Sequence, residues 1–278
     1  MMEANVEHIK LSIIMGTFNG EKTISRAIES ILNQSFTEFE FIICDDGSTD
    51  ATYGILEKYA QKDSRIKLIK NEKNLMLAGT LNRCIEVAQG EYIARMDDDD
   101  FSHKNRLEKQ IQFMREHEEY AIVGTCRNIF DDDGIWATQS GHCGVVSKID
   151  VFIGRSFIHP TVIMQRTALN AVNNYTVSPL TIRGQDHDLW CKLYSNGYIG
   201  YNLPDILLDY YESSHSFRRR KYKYRILEFE RMRYWRKRFR LPFYYTIFTL
   251  KPLLVGLIPS QIMLLIKRFL RFCIAKRN

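Results

Sequence analysis

The sequence lacks the short motifs that identify several large classes of nucleotide-binding and metal-binding proteins. It contains no G-x-G-x-x-G and no G-x-x-x-x-G-K-[ST], which argues against a dinucleotide-binding fingerprint and against a P-loop. Six cysteines are present, but no two of them form a C-x-x-C pair, and no spacing of His and Cys suggests a zinc site. We therefore expect free thiols in a reducing compartment.

Long apolar runs of the kind that cross membranes are also missing. The longest uncharged stretch near the C-terminus covers residues 252–266 and is interrupted by Pro259 and Gln261. Its 15 residues fall short of the roughly 20 that a spanning helix needs. The first ten residues are polar, and no signal peptide precedes the first apolar run, so we expect the chain to remain in the cytoplasm.

Acidic residues are scarce at the end of the chain. Residues 218–278 hold 18 Lys and Arg against only two acids, whereas residues 1–217 hold 21 bases and 31 acids. This asymmetry predicts a body over 1–217 and a basic helical tail over 218–278 that faces an anionic partner. The 45% apolar content is sufficient for a globular core in the body.

Three partners are open for the tail. Its bases alternate with aromatic residues and are followed by apolar segments, which is typical of a helix that lies on an anionic membrane surface. Nucleic acid is the competing partner for a basic, aromatic-rich strip, but the later apolar segments have no use on a phosphate backbone. A homodimer formed through the C-terminal helices is the third possibility.

The body begins with a regular alternation of apolar strands and amphipathic helices. The predicted strands are residues 11–15, 39–44, 66–69 and 92–96, and the intervening helices carry apolar residues at helical spacing. Such alternation is typical of βαβ units and of a mainly parallel sheet flanked by helices. Farther along, residues 157–164 predict a strand that Pro160 interrupts, which favours an edge position or a bulge.

Acidic residues follow two of these strands. Asp97 to Asp100 come directly after the fourth strand, and Asp45 and Asp46 end the second. In open α/β sheets ligands bind beyond the carboxyl ends of parallel strands, so we expect both groups at one edge. Carboxylate oxygens suit Mg²⁺ or Mn²⁺. A solvated acidic turn is the alternative for the four aspartates, and capping of the next helix is the favoured alternative for Asp45.

At this point the sequence resembles glycosyltransferase family 2, the inverting enzymes with the GT-A fold. The resemblance covers about residues 10–212 and depends on six segments in a fixed order. These segments are residues 12–20, 27–36, 45–50, 96–107, 159–162 and 186–190. Gly16 stands where proline is commonest in the family, and Gln185 stands where the family usually has Glu before its general base.

The resemblance implies a role for each matching residue. The residues that it places against a nucleotide-sugar donor are Thr17, Asp46, Asp97 and Asp98. Asp97 and Asp99 are implied to hold the Mn²⁺ or Mg²⁺ that bridges the diphosphate, and His215 is a further candidate for that metal. Asp186 is implied as the general base that takes the proton of the acceptor hydroxyl, with Asp188 as its rival. His159 is interpreted as a packed histidine in preference to a catalytic one.

The function that follows is a non-processive, inverting, metal-dependent glycosyltransferase of the hexosyltransferase type. The resemblance implies that it moves one sugar from a nucleotide-diphosphate sugar to a lipid-linked saccharide at the inner face of the cell membrane, in surface-polysaccharide biosynthesis. A processive polymerase is disfavoured because Q-x-x-R-W is absent. The alternatives are a sugar nucleotidyltransferase, which would release pyrophosphate, and a catalytically silent carbohydrate-binding or scaffold protein.

Overall fold

The computed structural model describes residues 10–139, 142–212 and 221–258, and the single residue Ile262. Strands and helices alternate in the predicted order through the first four strands. The strands are β1 (Leu11–Thr17), β2 (Phe39–Asp45), β3 (Ile66–Lys70), β4 (Tyr92–Arg95), β5 (Phe101–Ser102), β6 (Tyr120–Asp131), β7 (Gly134–Gln139), β8 (Gly144–Val146), β9 (Ile163–Gln165) and β10 (Ile199–Tyr211). The helices are α1 (Ile24–Leu32), α2 (Thr52–Lys62), α3 (Met76–Val87), α4 (Arg106–Glu116), α5 (Lys148–Ile153), α6 (Arg166–Ala171), α7 (Gln185–Ser195), α8 (Tyr222–Arg238) and α9 (Thr246–Gly256).

The strands form a sheet in the order β3-β2-β1-β4-β9-β6-β10-β5, with β7 beside β6 and β8 beside β10. The longest pairings, β1 with β2 and β6 with β10, are parallel, as are β2 with β3 and β1 with β4. The prediction of an α/β fold with a mostly parallel central sheet flanked by helices is therefore confirmed.

The predicted edge position or bulge at Pro160 is wrong. His159–Thr161 form a 3₁₀ turn, and the strand itself begins only at Ile163. That strand, β9, lies in the interior of the sheet, where it pairs antiparallel with both β4 and β6. Pro160 is compatible with this arrangement because it precedes the strand and so removes no amide from either ladder.

Apolar residues cover both faces of the sheet. Along β1 the side chains alternate, so that Leu11, Ile13 and Met15 pack against one layer and Ile14 packs against the other. In α1 the buried residues Ile24, Ala27, Ile28 and Ile31 form the predicted apolar stripe. A sheet that is buried on both faces can present polar groups to a ligand only at its edges and strand ends.

Three neighbouring strands end at the same edge of the sheet. β1, β4 and β2 run parallel, and the backbone N–H of Asp46 donates to the carbonyl of Thr17 at 2.8 Å. The predicted convergence of Asp45, Asp46 and the Asp97–Asp100 segment at one edge is therefore confirmed. Their positions follow from the parallel register, because each acidic group comes directly after a strand.

The turn after β2 differs from the expectation for Asp45. Its carboxylate accepts from the backbone N–H of Ser48 at 3.2 Å and so closes the turn. Helix α2 begins at Thr52, whose backbone N–H donates to the carboxylate of Asp50 at 3.0 Å. Asp45 therefore does not cap α2. Gly47 lies in the left-handed region with φ of 78°, a conformation that glycine adopts without strain in this turn.

The described part of the basic tail consists of α8, α9 and the short connection between them. Three apolar residues from α8 and its end, Met232, Trp235 and Phe239, are buried in the same core cluster as Leu189 and Trp190 of α7. Helix α8 therefore packs on the body of the molecule. In the part of the chain that the structure describes, no helix combines the length and the hydrophobicity needed to cross a bilayer. His215 and most of residues 259–278 lie outside the described residues.

Candidate active site

The Asp97–Asp100 segment brings three carboxylates together just beyond β4. One carboxylate oxygen from each of Asp97, Asp99 and Asp100 lies within 4.8 Å of the others. Asp100 is fully buried, its Oδ1 accepts from the backbone N–H of Tyr211 at 2.8 Å, and its Oδ2 has no hydrogen-bond partner among the described residues. A buried carboxylate oxygen without a donor fits a cation ligand, because leaving it unpaired would cost free energy.

The charges of this segment are only partly compensated in the protein alone. Burial, together with the neighbouring carboxylates Asp97 and Asp98, raises the pKa of Asp99 to about 8. Burial likewise raises the pKa of Asp98 to about 6, and it raises the pKa of Asp100 well above its ordinary value. These shifts show that adding another negative charge is unfavourable here. A bound divalent cation would reverse that preference.

Two buried arginines lie beneath the acidic segment. Arg95, the last residue of β4, is 1% exposed and forms an ion pair with Asp97. Arg106 is fully buried and donates to the carbonyl of Arg95 at 2.8 Å, and burial lowers its pKa to about 9. Arg26 adds a third guanidinium, which donates to the carbonyl of Asp99 at 2.7 Å. These cations hold the segment in place, yet the pKa values of Asp98, Asp99 and Asp100 remain raised.

The predicted nucleotide-contacting residues lie next to this cluster. Thr17, at the end of β1, donates through its hydroxyl to the carboxylate of Asp98 at 2.5 Å. Asp46 is 4% exposed, and its Oδ1 accepts from the side-chain amide of Asn71 and from the backbone N–H of Leu75, each at 2.8 Å. The carboxylate of Asp46 is thus held in one orientation by the segment that precedes α3.

Asp186 lies in the first turn of α7 and on the wall of a cleft of about 740 Å³. Asp97 lines the same cleft, so the structure brings the acidic segment and the candidate base to one space. Asp188 lies elsewhere: it is 7% exposed, does not line this cleft, and accepts from the indole N–H of Trp235 at 2.8 Å. Of the two rivals, Asp186 is the one that an acceptor in the cleft can reach.

His159 and Gln185 also line the cleft. The imidazole of His159 is paired at 2.7 Å with the hydroxyl of Tyr175, and burial holds its pKa well below the usual range. Its geometry agrees with a packed, neutral histidine. The side-chain oxygen of Gln185 accepts from the backbone N–H of Gly184 at 3.1 Å. This contact keeps the amide that replaces the family's Glu close to its own backbone.

Several residues of the site were missed by reasoning from the sequence. Asp100 was left out of the expected metal ligands, and Arg95 could have been noticed as a charged residue at the end of a buried strand. Arg127 and Tyr210 also line the cleft, with the guanidinium carbon of Arg127 4.0 Å from the ring centroid of Tyr210. No local pattern indicates this pair, because it depends on β6 and β10 pairing across the sheet.

The fold and the acidic edge define the class of protein. The model for glycosyl transferase family 2 matches residues 12–179. The chain therefore belongs to glycosyltransferase family 2, and its fold is GT-A.

The relatives agree with this membership. The chain is 39% identical over 263 residues to EpsE of Bacillus subtilis, which is named as a glycosyltransferase, and the match spans 91% of each protein. It is 31% identical over 207 residues to WfaP of Escherichia coli, covering 74% of this chain and 78% of the relative. That relative is named as a UDP-Glc:alpha-D-GlcNAc-diphosphoundecaprenol beta-1,3-glucosyltransferase.

A solved structure shows the same fold. The crystal structure of residues 1–349 of S. aureus TarS in complex with UDP-GlcNAc is 22% identical to this chain, with a TM-score of 0.67. The likeness covers 89% of this chain and 71% of the TarS fragment. It therefore extends beyond the segment that the family model matches.

Proposed function

We propose that the chain is a non-processive, inverting glycosyltransferase that moves one sugar from a nucleotide-diphosphate sugar to a lipid-linked saccharide during polysaccharide biosynthesis. The observation that carries this proposal is that Asp97 and Asp186 line one cleft. The acidic segment provides a place for a donor diphosphate and its cation. Asp186 provides a base for the acceptor hydroxyl on the wall of the same space.

The residues present fit a divalent cation. Asp97 and Asp99 would hold Mn²⁺ or Mg²⁺, and the geometry adds Asp100 as a third ligand. The atoms that would bind the cation are hard carboxylate oxygens. One of them, Oδ2 of Asp100, lacks a hydrogen-bond partner within the described ranges. When bound, such a cation supplies Lewis-acid neutralisation of the charge that develops on the departing diphosphate.

The donor nucleotide would lie against the edge formed by β1, β2 and the acidic segment. Thr17 and Asp98 are joined by a hydrogen bond there, and Asp46 presents a fixed carboxylate that can accept from a ring N–H of the base. Asp97, which is ion-paired with Arg95, would face the ribose. In this arrangement the nucleotide lies at the strand ends, where open α/β sheets bind ligands.

Asp186 would act on the acceptor. The acceptor hydroxyl oxygen forms a bond to the anomeric carbon as the bond from that carbon to the diphosphate oxygen breaks. Asp186 takes the hydroxyl proton, and the departing group leaves as a nucleoside diphosphate. Because attack and departure occur on opposite faces, the anomeric configuration inverts. Taking the proton in the transition state typically contributes about 10²- to 10⁴-fold in rate.

The tail and one relative support the proposed acceptor and location of the enzyme. WfaP is named for a diphosphoundecaprenol-linked acceptor. In this chain the region around α9 exposes a set of large apolar residues: Phe243, Tyr244, Ile247, Leu254 and Leu257, which are between 62% and 81% exposed. We infer that residues 218–278, as distinct from a catalytic domain over residues 1–217, bring this patch to an anionic bilayer at the cytoplasmic face of the membrane.

A screen of nucleotide sugars tests the proposal. The purified full-length protein is heated with each nucleotide sugar in the presence of Mn²⁺ or of a chelator, and the unfolding temperature is followed. We expect one nucleotide series to stabilise the protein only with the metal present, and the matching sugar donor to release nucleoside diphosphate on addition of acceptor lipids. Release of pyrophosphate would instead identify a nucleotidyltransferase. Binding of saccharides without turnover of any donor would identify a silent carbohydrate-binding protein.

A further inference from the structure

A second cavity adjoins the catalytic cleft. It has a volume of about 490 Å³ and lies between α5, the segment that precedes α7, and helices α8 and α9. Gly154 and Asp186 line both cavities, so Asp186 stands on the wall that they share. A molecule in this second cavity would therefore reach the candidate base from a space that the acidic segment does not line.

The second cavity carries an excess of positive charge. Its lining residues include five cations, Arg183, Lys221, Arg225, Arg231 and Lys251, against two carboxylates, Asp186 and Glu228. Arg225 is paired with Glu228 at 2.9 Å, and Arg231 donates to the backbone carbonyls of Leu180 and Arg183. No carboxylate of the described residues lies within ion-pair distance of Arg183, Lys221 or Lys251. The guanidinium of Arg183 lies 5.0 Å from the ring centroid of Tyr224, which restrains it at the cavity wall. Uncompensated cations in a concave site attract a polyanion.

One side of the same cavity is apolar. Pro252 and Val255 of α9 line it, and the exposed apolar residues Ile247, Leu254 and Leu257 lie on and just beyond the same helix. A ligand with only phosphate groups would leave this apolar surface unused. A phosphate group that carries a hydrocarbon chain matches both surfaces, since the phosphate meets the cations and the chain meets α9.

We propose that this cavity binds the prenyl diphosphate group that anchors the acceptor saccharide. The inference rests on the proposed function, because it names the acceptor class for the same site. The anchor phosphates would lie among Arg183, Lys221 and Lys251, and the saccharide would extend past Asp186 into the cleft. The donor diphosphate would not compete for this cavity, since its proposed place is at Asp97 and Asp99, neither of which lines the cavity.

Farnesyl diphosphate is a suitable probe, and its binding to the full-length protein is measured by calorimetry in a buffer with a chelator. The cavity variant carries Arg183→Gln and Lys251→Gln. The control carries Lys237→Gln and Arg238→Gln, which remove the same charge from exposed residues of α8 outside the cavity. We expect the cavity variant to weaken binding at least about tenfold, because each lost cation removes a hydrogen bond to a charged group. The control should change the affinity less than about twofold.

The inference would be overturned by no binding of farnesyl diphosphate to the wild-type protein or by equal weakening in both variants. Displacement of farnesyl diphosphate by a nucleotide sugar would also overturn it. Inorganic pyrophosphate tests whether the cavity recognises the lipid or only the diphosphate group. We expect it to bind at least about tenfold more weakly than farnesyl diphosphate, because it lacks the hydrocarbon chain. Equal affinity would also reject the proposal. Failure of the proposed function has a separate signature, which is that no nucleotide sugar binds in the presence of Mn²⁺, whatever the farnesyl diphosphate result.

Discussion

The guanidinium of Arg231, on α8, lies against the α-carbon of Gly184, two residues before Asp186. A Cβ atom at position 184 would come within 2.3 Å of Nη2 of Arg231. Nη1 of the same side chain donates to the carbonyls of Leu180 and Arg183 at 3.0 and 2.9 Å. Helix α8 therefore fixes the segment that presents Asp186 to the cleft, and the basic tail contributes to the geometry of the candidate base.

Replacing Gly184 by Ala tests this relationship. The glycine has φ of 106°, a left-handed conformation that an alanine adopts only with strain, and the added methyl group would collide with Arg231. We expect the free energy of unfolding to fall by about 1–3 kcal/mol and kcat to fall with it, as measured by chemical denaturation and a donor-turnover assay. The matched control is Gly54→Ala in α2, where an added Cβ meets nothing within 4 Å. Equal losses in the two variants would contradict the role given to Arg231.

The assignment of the base is tested by two single substitutions. Asp186→Asn should lower kcat by about 10²- to 10⁴-fold, because an amide cannot take the acceptor proton. Donor binding should persist, since Asp186 does not belong to the metal-capable cluster. Asp188→Asn is the matched control: its side-chain oxygen can still accept from Trp235, and turnover should stay within a few-fold of wild type. If Asp188→Asn abolished turnover and Asp186→Asn did not, the assignment would be reversed.

Asp99→Asn should have opposite effects on the metal-free and metal-bound protein. The folded-state pKa of Asp99, about 8, lies above its unfolded value, so its ionisation disfavours the folded state as pH rises from about 4 toward 8. At pH 7.5 without metal, the asparagine variant should therefore be more stable than wild type by about 1 kcal/mol or more.

The same Asp99→Asn variant should lose the stabilisation that Mn²⁺ and a nucleotide sugar give the wild-type protein, as followed by thermal unfolding with and without chelator. Destabilisation of the metal-free variant would show that burial and the neighbouring carboxylates do not disfavour the ionised form of Asp99.

The lowered pKa of the buried His159 makes the free energy of unfolding depend on pH. Burial keeps its folded-state pKa well below the unfolded value of about 6.5, so as pH falls through that value the unfolded chain binds a proton that the folded protein does not. Between pH 7.5 and 5.5 this linkage removes on the order of 1 kcal/mol of stability. The His159→Gln variant should lose that part of the pH dependence in denaturant titrations. Tyr175→Phe should keep it, because burial and not the hydrogen bond to Tyr175 is the cause.

The apolar patch around α9 predicts membrane binding. Sedimentation with vesicles that contain phosphatidylglycerol should carry down the wild-type protein. A variant with Ile247→Ser, Leu254→Ser and Leu257→Ser should remain in the supernatant, since each buried apolar side chain contributes about 1.5–3 kcal/mol. The control replaces Ile135, Val145 and Val177 by Ser; these residues are 50–63% exposed and lie outside the tail. Loss of binding in the control as well, or binding that persists in the first variant, would speak against this surface. A change of oligomeric state without vesicles would indicate a dimer interface.

Local patterns predicted the portion of the site that lies on consecutive strands. Thr17 ends β1, whereas Asp46 and Asp97 come after β2 and β4, and the parallel pairing of β1 with both strands brings the three residues to one edge. The position of the acidic segment was therefore predictable from apolar periodicity alone. The assignment of Asp186 came only from the resemblance, because nothing in the spacing says that α7 would return to the same cleft.

The features that the sequence did not reveal depend on contacts between distant segments. The strand β9 lies between β4 and β6 and pairs antiparallel with both. With only three residues, its sequence does not indicate whether it runs parallel or antiparallel to its neighbours. In the tail, Met232, Trp235 and Phe239 have the i, i+3, i+7 spacing of a buried stripe, but the many surrounding bases favoured a surface helix. The hydrogen bond from Trp235 to Asp188 shows why this stripe faces inward.

The most direct test of the account is the anomalous diffraction of Mn²⁺ in a crystal of the protein with the nucleotide sugar that the thermal screen selects. We predict one anomalous peak at coordination distance, about 2.1 Å, from a carboxylate oxygen of Asp99, with the donor diphosphate bound to the same ion. A peak at another site, or a donor diphosphate bound away from the Asp97–Asp100 segment, would contradict the account.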